Sequence, residues 1–116
     1  MKKLLITGFD PFGGENINPS WEAVKLLPEV IGEYEVHKME IPTIFGLAAK
    51  TVLAKAAEVR PDVILCVGQA GGRDAVTPER IAINCMDAKR SDNAGNQPAE
   101  TPILPGGPDG IFATVP

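Results

Sequence analysis

The sequence is poor in the residues that most often carry chemistry. Its 116 residues hold one histidine, two cysteines, one tryptophan and one tyrosine. A lone His37 makes no histidine pair for a zinc ion, and Cys66 and Cys85 stand in neither a CxxC nor a Cys/His ligand spacing. No metal and no cofactor is expected. Two cysteines are also too few for a disulfide framework, so each reads as a small buried hydrophobe. Excess positive charge is lacking: 11 Lys and Arg against 15 Asp and Glu leave a net charge of −4. Such a chain lacks the basic surface that a phosphate backbone requires, which excludes nucleic acid as the expected partner. Long apolar runs are missing too. LLI at residues 4–6 gives way to Thr7 and then Asp10, too short for a signal peptide, and no stretch approaches the roughly 18 apolar residues of a membrane span. The expected location is therefore the cytoplasm.

What is present is the grammar of an α/β domain. LLIT (4–7) is an apolar run opening into the turn GFDPFGG, which predicts a buried strand. A helix follows, with Asn18 as N-cap, Pro19 in the first position, and Trp21, Val24 and Leu27 recurring at helical spacing before Pro28. Residues 34–41 alternate as a half-buried strand does, until Pro42 and Thr43 break it. IFGLAAKTVLAKAAEV (44–59) predicts an Ala-rich amphipathic helix, and DVILCVG a strand covered on both faces. Alternating strands and helices imply a largely parallel sheet with right-handed crossovers, whose function lies at the carboxyl ends of the strands. Those ends are GFDPFGG, IPT and GQAGG, so three loops are expected to converge. RIAIN (80–84) offers a fourth strand. Residues 86–116 hold five prolines and four glycines without helical period, predicting an extended segment that wraps a neighbouring surface or precedes a missing helix.

The loops at that mouth carry the candidate residues. GFDPFGG fits neither GxGxxG nor GxxxxGK[ST] and has no phosphate-gripping lysine, so a nucleotide site is weakly supported. Phe9 and Phe12 lie in a turn held by Pro11 and freed by Gly8, Gly13 and Gly14; they are either core plugs or pocket walls. Gln69 in GQAGGR either caps its own turn or offers a donor and an acceptor to a neutral amide. Glu79, between Pro78 and Arg80, either pairs with Arg73 or Arg80 or orients a histidine base. His37, within a strand, reads as structural.

GFDPFGG, NPSWEAV, GQAGGR, TPERIAIN and DNAGNQP, in that order, resemble the amino-terminal half of the pyroglutamyl peptidase I family, the pyrrolidone-carboxylate peptidases, which are cysteine peptidases. The resemblance spans essentially the whole chain and implies an α/β/α open sandwich with a mostly parallel sheet, apparently incomplete at its carboxyl end. It treats residues 1–116 as part of a single domain. It implies release of amino-terminal pyroglutamate from peptides by a Cys, His and Glu constellation. Glu79 matches the family's catalytic acid, which holds the histidine and stabilises its imidazolium. Phe9 and Phe12 match the aromatic pair flanking the flat, uncharged lactam ring, while Thr43 and Gln69 match polar positions of the same pocket. Asp92 is a supporting acid near the site.

Two departures accompany the resemblance. The family's nucleophilic cysteine and its histidine belong to a carboxyl-terminal half that these 116 residues do not contain, and Cys66 and Cys85 do not match the nucleophile's motif. AKRSDN stands where the family commonly reads ARIPDN, so Lys89 replaces an arginine's planar fork and Arg90 an apolar pocket residue. The chain alone is accordingly expected to be inactive, carrying the ring pocket and the orienting acid. The alternatives are a non-catalytic lactam-binding remnant or one half of a two-chain enzyme. The family tends to form homo-oligomers, and half a sheet leaves an unpaired edge that favours aggregation or dimers.

Overall fold

The computed structural model of the chain describes residues 1–115. It is a mixed α/β fold with elements in the order β1 (Lys2–Phe9), α1 (Pro19–Lys25), β2 (Val30–Ile31), β3 (Tyr34–Ile41), α2 (Leu47–Val59), β4 (Val63–Cys66), β5 (Ile81–Ile83) and β6 (Gly110–Phe112). The main sheet has the order β2-β3-β1-β4. β1 lies at its centre and pairs in parallel with β3 from Lys2↔Tyr34 to Phe9↔Ile41, and with β4 from Leu4↔Val63 to Thr7↔Cys66. The short β2 pairs antiparallel with β3.

Alternation along β1 and β3 assigns the two helices to opposite faces. Ile6 and Val36 share one face with Val24 of α1, and all three are buried, with Trp21, Leu27 and Val67 packed against them. Lys38, on that same face, donates its ammonium to the carbonyls of Lys25 and Leu27 and so closes the carboxyl end of α1 with a positive charge. Met39, on the other face, shares a shallow groove with Leu47, Thr51 and Ala54 of α2. Three layers result. The chain moves outward from β1 to β3 and returns past β1 to β4, so strand order reverses at β1. Ligand crevices of open α/β sheets form at the carboxyl ends of the strands around such a reversal.

The start of α1 follows the sequence closely. Asn18 is extended, its Oδ1 accepts from the Ser20 amide at 3.0 Å, and Pro19 sets the first turn. Helix α2 begins at Leu47, three residues later than the Ala-rich run predicts. Gly46 precedes it at φ +80°, and the Phe45 amide donates to Asp92.

Gly8 plays a different part from the one its turn suggests. Gly13 and Gly14 adopt φ of +64° and +79° and supply the turn's left-handed conformations, but Gly8 is a β1 residue against which α1 packs. A Cβ there would lie 2.5 Å from Trp21 Cα and 2.8 Å from the Ser20 carbonyl carbon.

β4 departs from expectation. Its continuous apolar sequence predicts cover on both faces, yet Ile64, Leu65 and Cys66 are exposed. The reason is position: β4 is the edge of the sheet, and among the described residues only β1 packs extensively against it, while both helices lie over β1 and β3. RIAIN does form a strand, but not in this sheet. β5 pairs antiparallel with β6, and the ribbon continues through the Met86↔Thr101 bridge and the Ala88 amide's bond to the Pro98 carbonyl. Much of the Pro/Gly-rich stretch is thus paired with residues 80–88.

Candidate active site

The carboxyl ends of β1, β3 and β4 meet, as parallel pairing in register requires. The Asp10 amide donates to the Ile41 carbonyl at 2.9 Å and the Val67 amide to the Thr7 carbonyl at 2.9 Å, carrying both pairings just past the strands. Phe9 lies against the GQAGGR loop, since a Cβ on Gly68 would sit 3.7 Å from Phe9 Cε2. Phe9 and Phe12 are both half-buried. Their turn is closed by the Glu15 amide donating to the Phe12 carbonyl at 3.2 Å.

Thr43 is tied to this turn through Asp10. Its amide donates to Asp10 Oδ1 at 2.7 Å and its hydroxyl contacts the same oxygen at 2.8 Å. From the opposite side comes the loop 92–96. The Asn93 amide donates to the Thr43 carbonyl at 3.1 Å, and Asn93 Nδ2 donates to the Pro11 carbonyl at 2.9 Å. Phe9, Phe12, Thr43 and Asp92 therefore belong to one connected cluster.

Asp92 organises its own loop. It accepts from the amides of Phe45 (2.7 Å), Ala94 (2.9 Å) and Asn96 (2.8 Å), and from Asn96 Nδ2 (3.0 Å). Desolvation pushes its pKa up, but the bonds from Phe45, Asn96 and Ala94 outweigh it and hold the carboxyl at about 2. The folded value lies below the ordinary Asp value of about 3.9, so the stabilisation is complete above about pH 4 and is lost as pH falls toward 2. Thermal melts between pH 5 and 2 are expected to drop more steeply for the native sequence than for Asp92→Asn. Parallel curves would remove Asp92 as the titrating clamp.

Glu79 stands apart. Its carboxylate is 79% exposed and pairs with Arg73 Nη1 at 3.5 Å; Arg73 in turn donates to Thr77 Oγ1 at 2.8 Å. It borders a surface depression with Pro78, Arg80, Phe112 and Ala113. No hydrogen bond links it to the Asp10–Thr43–Asp92 cluster among the described residues. Gln69 is exposed, and its side chain makes no hydrogen bond there either. Lys89 and Arg90 are exposed on the loop whose base is the Ala88–Pro98 pairing, and neither forms an ion pair among the described residues. His37 lies within β3, its Nε2 2.9 Å from Glu35. Among the described residues no group of three His, Cys, Asp or Glu side chains could hold a metal ion.

Sequence reasoning passed over Asp10 and Asn93, which do most to join the loops. The signal for Asp10 was available: an aspartate directly before proline at a strand end initiates turns through its side chain. For Asn93 there was none, because its side-chain partners, Asp10 and Pro11, lie more than eighty residues away.

The family model for pyroglutamyl peptidase matches residues 2–116. This chain belongs to the pyroglutamyl peptidase family. The pyrrolidone-carboxylate peptidase of Levilactobacillus brevis is 58% identical over 114 residues, covering 98% of this chain and 56% of that protein. The protein of the same name from Thermoanaerobacter sp. is 54% identical over the same shares. Among solved structures, pyroglutamyl peptidase I of Bacillus amyloliquefaciens superposes with a TM-score of 0.96 at 47% identity, over 100% of this chain and 57% of that one. Pyrrolidone carboxyl peptidase of Pyrococcus furiosus gives 0.92 at 43% identity, over 98% and 55%. The chain thus spans just over half the length of these family members.

Proposed function

We propose that this chain supplies the ring pocket and the orienting acid of a cysteine peptidase that releases amino-terminal pyroglutamate from peptides. The observation that carries the reading is the convergence of the Phe9–Phe12 turn, Thr43 and the Asp92 loop on one end of the sheet, within a family match running from residue 2 to residue 116. Half-buried aromatic rings accept a flat, uncharged lactam, whereas an ionised glutamate must give up its water to enter the same space. Gln69, on the loop against Phe9, supplies an amide that pairs with the ring. Glu79 orients a histidine that comes from outside these residues.

Among the described residues neither Cys66 nor Cys85 is hydrogen-bonded to the histidine. Cys66 is exposed at the β4 edge, and His37 is engaged with Glu35 within β3. Peptides with an amino-terminal pyroglutamyl residue are the substrate class, and two free cysteines suit the cytoplasm. A fluorogenic pyroglutamyl amide tests the reading. The 116-residue chain is expected to be silent, and co-expression with the carboxyl-terminal half of a family member is expected to restore turnover that thiol alkylation abolishes. Turnover by the chain alone after alkylation, or silence of the soluble complemented pair, would overturn it.

A further inference from the structure

The inference rests on reading the site as a lactam pocket and deepens it. We propose that Asp10 is the pocket's positioning residue: it latches the Phe9–Phe12 turn in place and commits Thr43 to act as a hydrogen-bond acceptor, so that the site selects rings bearing an N–H.

Asp10 sits between the two aromatic residues and joins three parts of the fold. Its Oδ1 receives the Thr43 amide at 2.7 Å, the Thr43 hydroxyl at 2.8 Å and Asn93 Nδ2 at 3.3 Å. Its carbonyl receives Asn18 Nδ2, from the cap of α1, at 3.0 Å, and the Thr43 hydroxyl at 3.2 Å. Its amide holds the Ile41 carbonyl. Asp10 directly follows β1 and its amide continues the pairing with β3, so its fixed backbone aims one carboxylate at Thr43 and Asn93 and ties both to the turn.

Polarity follows from proton counting. A threonine hydroxyl has one proton and two lone pairs. Both groups beside Thr43 Oγ1 belong to Asp10, one a carboxylate and one a carbonyl, and neither can donate. The hydroxyl proton is therefore held by Asp10, and only lone pairs are left for anything else. Thr43 is half-buried and not sealed. An acceptor there complements the N–H of a lactam and meets only lone pairs on the ring oxygen of a lactone.

The test uses the 116-residue chain with two neutral five-membered rings, 2-pyrrolidone and γ-butyrolactone, in ligand-observed NMR titrations. Amide exchange by mass spectrometry over residues 41–46 and 92–96 runs alongside. The native chain is expected to prefer the lactam by about tenfold, the scale of one unmet hydrogen bond. Asp10→Ala should abolish the preference and speed exchange at Thr43, Phe45 and Asn93 at least tenfold. Asp10→Asn keeps an oxygen where Oδ1 lies and should retain both properties, a rescue that mere loss of a charge would not allow. Equal binding of the two rings by the native chain, or unchanged exchange and preference in Asp10→Ala, overturns the proposal. Should the native chain bind neither ring, the lactam reading of the pocket fails. The latch is then judged on exchange alone, upheld by faster exchange in Asp10→Ala than in Asp10→Asn and overturned by equal rates.

Discussion

Glu79→Gln is expected to lower kcat/KM of the complemented enzyme by about 10³–10⁴-fold while leaving its melting temperature where it was. The rate effect follows from the role proposed for the acid. A carboxylate that orients a catalytic imidazole fixes its tautomer and stabilises the imidazolium, and an amide in its place costs about 10⁴-fold in the comparable serine triad. The stability half follows from the geometry. Glu79 is 79% exposed, and its one ion pair, to a half-exposed Arg73 at 3.5 Å, is of the kind worth about 0–1 kcal/mol.

That separation makes the experiment decisive, because a structural acid and an orienting acid then give opposite patterns. If Glu79 only solvates its loop, Glu79→Gln is silent in both readouts. If it orients the base, activity falls alone. Arg73→Ala provides the control: losing an exposed pair is expected to change kcat/KM by no more than about fivefold. A fall in Glu79→Gln no larger than in Arg73→Ala would reject the orienting role.

The order and type of the main elements were legible in the sequence because local signals and tertiary needs agree there. Asn18 and Pro19 announce the start of α1, and the alternation of 34–41 coincides with β3 residue for residue. The neighbourhood of β4 was not legible. Its apolar run predicts burial on two faces, but burial depends on what packs against a strand, and here both helices lie over β1 and β3. Pairing of residues 80–88 with 98–113 also escaped, since prolines and glycines mask a ladder whose partners lie up to about thirty residues apart. Within the site, motifs marked the loops that meet but not the latch between them. Asp10 acts through Thr43 and Asn93, 33 and 83 residues away, and no local pattern encodes such contacts.

Gly8 leads to the second large effect, this time on stability. Gly8→Ala is expected to lower the melting temperature by roughly 10 °C, and Gly8→Val to prevent folding. Carbon atoms pack at about 3.5–4.0 Å, so a methyl 2.5 Å from Trp21 Cα forces α1 away from β1 by roughly 1 Å. The obstacle is backbone, which cannot swing aside as a side-chain tip does. Displacing α1 strains everything its first turn holds: the bond from the Phe9 amide to Ser20 Oγ at 2.9 Å, the Asn18 cap, and the seating of Trp21 and Val24 against Ile6 and Val36. Overpacking costs about 1–3 kcal/mol, and a weakened cap about 1 more. Gly14→Ala is the contrast. Its Cβ meets nothing within 4 Å but must adopt φ +79°, a backbone cost of about 1–2 kcal/mol without disturbance of the helix. Gly8→Ala should therefore perturb the Trp21 fluorescence and the Phe9–Phe12 turn together, whereas Gly14→Ala should leave Trp21 unchanged. Equal melting temperatures for the two variants would show that α1 yields freely, and that the close approach at Gly8 does not set the position of the turn.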